Sequence, residues 1–216
     1  MASATTAAQV VSVSVALLAS GGIATLSLFD IPEFQSQPAS RALPMTRWLF
    51  SRGSHMFPQA AMVSSAGFAY LAYKALPAGP LAQAFQAALT GVKLPGYLAA
   101  SALTFAIAPF TIIFMKETNF TLIKKNAELG GARSAKSAEQ NGPQLAQRSA
   151  EDSIYGKGEA DEFSDLSVPQ GKTKQSSSAE DDERVRKLLG DFALLNNVRA
   201  VLMGAGGIAG LWTALA

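Results

Sequence analysis

The chain has 216 residues and a net charge of +2, with 49% hydrophobic against 16% charged residues, a balance too apolar for an ordinary soluble domain. The absence of cysteine excludes disulfides, thiolate metal sites and a cysteine nucleophile; the net charge itself says little, and no nucleic-acid partner is expected. The apolar residues gather in four blocks, and apart from Asp30 and Glu33 the acidic residues lie between Glu117 and Asp191.

The first block, Ala8 to Phe29, has the roughly 17 to 25 apolar residues that a spanning helix needs. Its alternative is a secretory signal, with Ala19, Gly21, Gly22 and Ala24 offering a cleavage site. It lacks a basic leader and exceeds the roughly 7 to 15 residues of a signal core, so a span is expected. Arg41, Arg47 and Arg52 follow. The stretch "SRGSHMFPQ" then reads as the interfacial start of a second span, Phe57 to Leu76, with Ser54 as its cap and Pro58 in its first turns. The third span is Gly96 to Met115. None of these blocks, nor the fourth, contains the acidic residue that the wet face of a soluble helix would carry.

From Gly130 to Asp182 the composition changes to Ser, Gly, Glu, Lys and Gln, with only Tyr155 and Phe163 available to anchor a core. A disordered insert is expected there. Next, "AEDDERVRKLLGDFALL" reads as a helix start, with acids in its first turn and bases after them, leading into the fourth span, Leu194 to Ala216. Inside that span "GAGGIAG" imitates a dinucleotide-binding fingerprint, but no strand precedes it. Gly206 and Gly210 form instead a G-x-x-x-G suited to close helix packing. The sequon "NFT" at Asn119 is discounted, because the expected orientation places it on the cytosolic side and against the bilayer.

The expected fold is therefore all-α: a four-transmembrane-helix bundle with a long disordered cytosolic insert between helices 3 and 4. Residues 1–129 hold the first three spans, 130–182 the insert, and 183–216 an amphipathic lead-in with the fourth span, one membrane domain overall. Basic residues crowd the first connection and the flanks of the insert (Lys116, Lys124, Lys125, Arg184, Arg186, Lys187), against Lys74 and Lys93 on the other side. Both termini are then expected to face the lumen or exterior. The setting is an integral, multi-pass one, in the endoplasmic reticulum or a related endomembrane.

Antiparallel threading brings one end of each span to a common membrane face. Arg52, His55 and Gln59 come from helix 2, Thr111, Thr118 and Asn119 from helix 3, and Asn196 and Arg199 from helix 4; residues three or four apart share a stripe. Arg199 has a plain alternative, snorkelling to the headgroups and so avoiding a roughly 2.5 to 3.5 kcal/mol insertion penalty. Asn196 on the same stripe gains nothing from snorkelling, which favours a site in the bundle interior. His55 is the only histidine. A free imidazole titrates near 6.5 and suits proton transfer; the plain alternative is a residue at an interfacial helix start. One histidine, with no carboxylate or cysteine in the spans, argues against a bound zinc or iron.

The stretch "PFTIIFMKETNFTL", Pro109 to Leu122, followed after the insert by "LLNNVRA", resembles the membrane anthrone oxygenase family. That family's pattern runs P-x-T-x-x-x-M-x-x-T-N-x-x-L and then W-x-x-L-N-x-x-R. Pro109, Thr111, Met115, Thr118, Asn119 and Leu122 fit the first part; Leu195, Asn196 and Arg199 fit the second. Phe192 stands in place of the tryptophan, and the long insert departs from the compact family pattern.

The resemblance implies oxidation of an anthrone, a tricyclic polyketide with a methylene opposite its carbonyl, to the anthraquinone, with O2 as co-substrate and no bound cofactor or metal. On that reading His55 removes the methylene proton. Arg199 holds the developing oxyanion, assisted by hydrogen bonds from Asn119 and Asn196. Thr111, Thr118, Gln59, Phe110 and Phe114 contact the substrate, and Trp48, Phe57 and Phe120 are further aromatic candidates for clamping a flat polycycle. The partners expected are that hydrophobic polyketide, membrane lipid, and proteins recruited through the insert. The competing class is a non-enzymatic four-helix scaffold or assembly factor. A transporter is weaker, because the polar residues gather at one face rather than along the midplane.

Overall fold

The computed structural model describes residues 4–140, 165 and 167–216, and among these every regular element is helical, with no strand. Helix α1 (Ala4–Thr25) passes through a π-helical turn, Leu26–Asp30, into α2 (Ile31–Gln35). The long α3 (Ala39–Lys74) and short α4 (Leu81–Thr90) follow; then α5 (Lys93–Phe105), α6 (Ile107–Phe110), a second π turn (Thr111–Met115) and α7 (Lys116–Glu128). Helix α8 (Ala135–Gln140) and the long α9 (Ala179–Leu215) complete the described elements. Each π turn lies beside a proline, Pro32 or Pro109. A proline removes one amide donor and crowds the carbonyl four residues earlier: for Pro32 that is Leu28, inside the first π turn, and for Pro109 it is Phe105, where α5 ends.

Three continuous helical runs are long and apolar enough to cross a membrane: Ala4–Gln35, Lys93–Glu128 and Ala179–Leu215. That is the mark of a membrane protein. Helix α3, which carries the second expected span, has the length but falls short in hydropathy.

The start of α3 corrects the sequence reading. It begins at Ala39 and runs through Ser54 and Pro58 without a break, so Ser54 is no cap; its Oγ donates back to the Ser51 carbonyl within the helix (3.1 Å). The true cap comes from far downstream. The Ala39 amide donates to Asp182 Oδ1 (2.7 Å) and the Ser40 amide to Ser177 Oγ (3.1 Å), satisfying two of the orphan donors at a helix start. Pro44 cannot donate to the Ser40 carbonyl, and Thr173 does so instead, through its amide (2.8 Å) and its Oγ1 (3.2 Å). The same segment begins α9 with a reciprocal cap: Ser178 and Asp181 exchange amide-to-side-chain bonds, each 3.1 Å. The acidic helix start expected at this point is present.

Of the insert, residues 141–164 and 166 lie outside the described residues. The flanks, expected to lack structure from Gly130 onward, are ordered. Gly130, at φ 73°, ends α7 as a left-handed glycine. The amides of Ala132, Ala135 and Gln175 donate to Gln170 Oε1 (2.6 Å), the Val168 carbonyl (2.9 Å) and the Leu129 carbonyl (3.0 Å). A composition count registers only missing apolar residues; here polar side chains and backbone satisfy one another.

Asp165 is the centre of this network. It accepts from Ser134 Oγ (2.5 Å), the Ser167 amide (3.0 Å) and Ser167 Oγ (2.6 Å). Burial pushes its carboxyl upward, but the Ser134 and Ser167 hydrogen bonds and the Arg52 charge outweigh it and hold the pKa at about 2, against an ordinary 3.8. A depressed pKa gives stability that is present above pH 3.8 and lost as the pH falls through about 2. Discounted for solvent screening, the contribution is on the order of 1 kcal/mol. Thermal unfolding of the solubilised protein should separate wild type from Asp165→Asn more widely at pH 5 than at pH 2.5; an equal gap at both would contradict this account.

By contacts the chain divides into two compact units, each assembled from distant parts of the sequence. The first comprises Met1–Thr25, Met56–Ile113 and Asn196–Ala216. Its core holds Ala16, Leu71, Ala100, Ile107 and Met203 around stacked Phe68 and Tyr97, whose centroids lie 6.5 Å apart at 18°. The expected close packing of Gly206 and Gly210 is borne out. A Cβ on Gly206 would lie 2.6 Å from Thr104 Cγ2, and one on Gly210 would enter the ring of Phe68. Leu18, Met62, Ile112 and Trp212 point outward, where acyl chains are their natural cover.

The second unit comprises Leu26–His55 and Phe114–Leu195, with Ile31, Leu43, Met115, Leu122 and Leu189 fully buried. Phe192 is 3% exposed and packs its ring against Phe50 at 5.0 Å.

Candidate functional site

The polar residues at the mouth of the last apolar run are tied to α1. Asn196 has no exposed surface. Its Nδ2 donates to the Ile23 carbonyl (3.0 Å), and its Oδ1 accepts from Arg199 Nη1 (2.9 Å). Four residues along α9, the Ala200 carbonyl accepts from Ser20 Oγ (2.7 Å), a second tie between the same two helices. All these groups belong to the first unit.

Arg199 Nε is buried and has no hydrogen-bond acceptor. Among the described residues the ion pairs are Lys125 with Glu128 and Asp181, and Arg186 with Glu183; no carboxylate pairs with Arg199. Arg199 as a whole is half-buried, and removing part of a cation from water without a counter-charge is unfavourable. Such a group in a native fold calls for an explanation, and an anionic ligand is the simplest one. Asn196 thus spends one amide hydrogen on the Ile23 carbonyl and its oxygen on Arg199, which lets it orient the cation.

The remaining candidates of this unit are less engaged with one another. Thr111 lies at the start of the second π turn and spends its hydroxyl proton on the Ile107 carbonyl (2.7 Å). Phe110 is half-buried, Gln59 is exposed, and half-buried Phe57 packs against the core. π turns inside α-helices recur at functional positions, and this one begins the stretch that leads to Asn119.

His55, Phe114, Thr118 and Asn119 belong to the second unit. His55 Nδ1 lies 2.7 Å from the Ser51 carbonyl and 3.3 Å from Ser54 Oγ. A carbonyl only accepts, so the neutral ring carries its proton on Nδ1 and its basic lone pair on Nε2. Asn119 Oδ1 is buried and has no donor; Thr118 is half-buried and Phe114 is 56% exposed. Phe120 lies under Lys116 at 5.6 Å.

The insert reaches two residues next to this set. Trp48 Nε1 donates to the Ser167 carbonyl (2.9 Å), and Arg52 lies 5.2 Å above the Trp48 ring. The Arg52 guanidinium also donates to the backbone carbonyl of Asp165, and to that of Ser167 (3.3 Å). Trp48 is thus occupied as a platform for the insert, which was not foreseen. Nor were Ile23 and Ser20: a backbone carbonyl leaves no mark in the sequence, and a single serine in an apolar helix reads as filler. Among the described residues no cluster of His, Asp or Glu could hold a metal ion.

No curated protein and no solved structure matches the chain. The family model described as anthrone oxygenase matches residues 47–209, a stretch that includes His55, the Pro109–Leu122 motif and the Asn196–Arg199 pair. Since that match covers well over half of the sequence, the chain belongs to the anthrone oxygenase family.

Proposed function

We propose that the protein oxidises the methylene of a polyketide anthrone, emodin anthrone or a close relative, to the anthraquinone in an endomembrane such as the endoplasmic reticulum. The balance is one methylene and one O2 giving one carbonyl and one water. Loss of a methylene proton makes an aromatic, electron-rich anthrolate. That anion passes one electron to O2, the resulting radical and superoxide join as a peroxide at the same carbon, and loss of water from the protonated peroxide leaves the quinone. All electrons come from the substrate, so the stoichiometry needs neither flavin nor metal.

The observation that carries this reading is half-buried Arg199, held by Asn196, with a buried, unfilled Nε and no carboxylate partner among the described residues. A fixed cation in a water-poor site stabilises an aryloxide best when nothing else neutralises it. His55, with its lone pair on Nε2, is proposed as the base. Asn119, Thr118, Thr111 and Gln59 are proposed to contact the polar edge of the substrate, and Phe110 and Phe114 its rings. A four-span topology with a cytosolic insert that recruits proteins completes the proposal.

Membranes carrying the protein should convert emodin anthrone to emodin, with matching oxygen uptake, above the spontaneous rate. His55→Ala should lower that rate by about 10²-fold, the lower end for a general base because anthrones are already acidic at carbon. Wild-type membranes no faster than empty ones would refute the activity; full activity in His55→Ala would refute the base alone.

A further inference from the structure

We infer that Asn196 is a positioning residue: it acts on the reaction through Arg199, by holding Nη1 so that the buried Nε is turned toward an aryloxide oxygen. The inference rests on the proposed function for its ligand, but its geometry stands apart. The Asn196 amide has one workable orientation, because a flip would set oxygen against the Ile23 carbonyl and nitrogen against Arg199 Nη1. The side chain has no exposed surface, so water cannot replace either bond.

Arginine is long and has many rotamers; a bond from Nη1 to the residue three positions earlier narrows them. Among the remaining donors is Nε, buried and lacking an acceptor. The other end of the clamp is also particular. Ile23 precedes the π turn Leu26–Asp30, where the change from i→i−4 to i→i−5 pairing leaves a carbonyl short of its usual donor. Asn196 supplies a donor next to that irregularity, so the aim of Arg199 is set by the backbone of α1.

The test uses emodin, a hydroxyanthraquinone whose ionisation moves its absorbance to the red, titrated while bound to the full-length protein in detergent. Bound to wild type it should ionise at least one pH unit below its value in empty micelles, a tenfold change in acid constant. Arg199→Ala should abolish the shift, Asn196→Ala should remove most of it, and the double variant should match Arg199→Ala. Asn196→Asp keeps the shape and an acceptor for Nη1 but brings a negative charge, and should ionise emodin at a higher pH than wild type; it serves where the alanine variant does not fold. Ser20→Ala cuts the neighbouring tie between α1 and α9 and should titrate like wild type.

If Asn196→Ala and Asn196→Asp both titrate like wild type while Arg199→Ala loses the shift, positioning is overturned and the anion site stands. A Ser20→Ala loss equal to that of Asn196→Ala would also overturn it, since helix loosening would then suffice. If Arg199→Ala keeps the wild-type titration, the anion site falls and the inference falls with it.

Discussion

Arg199→Ala is expected to cut quinone formation from emodin anthrone by about 10²- to 10³-fold, the usual loss when one preorganised donor to a developing oxyanion is removed. The effect should fall on kcat more than on KM, because the charge builds up during proton removal and not on binding. Arg199→Lys is the informative companion. It keeps a cation but has no Nε and no planar fork, so it can either meet Asn196 Oδ1 or point at the ligand. Intermediate activity is expected, nearer to alanine than to wild type. Stability should change little, because losing a charge that no carboxylate among the described residues compensates is favourable while stranding the fully buried Asn196 Oδ1 is not. A variant that is both less stable and equally active would mean that the guanidinium is a packing element.

The second large effect is Gly210→Leu. Any side chain at this position enters the ring of Phe68, which has no exposed surface and is stacked on Tyr97. Because the ring cannot swing into solvent, the helix must move. Overpacking a tight core costs about 1 to 3 kcal/mol for an added methylene or two, and a leucine adds more. We expect Gly210→Leu to yield little monodisperse protein by size exclusion in detergent, and Gly210→Ala to survive with a lowered unfolding temperature. Leucine at Gly21, whose added Cβ would meet no neighbouring atom, is the control and should behave as wild type. Equal behaviour at the two positions would show that α9 is not closely seated at Gly210.

The parts of the architecture that could be read from the sequence are those decided by local composition. Spans one, three and four show as apolar runs free of acids, and Gly206 with Gly210 marks a close approach because only glycine has no side chain. The start of α9 was also legible, since the acids of its first turn and the bases after them are neighbours in the chain. The start of α3 was not. Its caps, Asp182 and Ser177, stand 143 and 137 positions from the residues they serve, and the nearer signal, Ser54 before Pro58, pointed to the wrong place. Order in the flanks of the insert was hidden for a related reason: it depends on Ser134, Ser167 and Asp165 satisfying one another, and a polar composition looks alike whether its groups face water or each other. At the candidate site, Asn196 and Arg199 stood out as polar residues in an apolar run, but whether Asn196 donates or aligns depended on the Ile23 carbonyl.

The distant capping of α3 bears on biogenesis. A ribosome releases Ala39 and Ser40 long before Thr173, Ser177 and Asp182 exist, so the first turns of this helix must emerge frayed and wait. They close only after more than four-fifths of the polypeptide has been made. Any splice, protease cut or fusion tag placed between α8 and α9 would therefore be felt first at the beginning of the second long helix, far upstream in the reading frame.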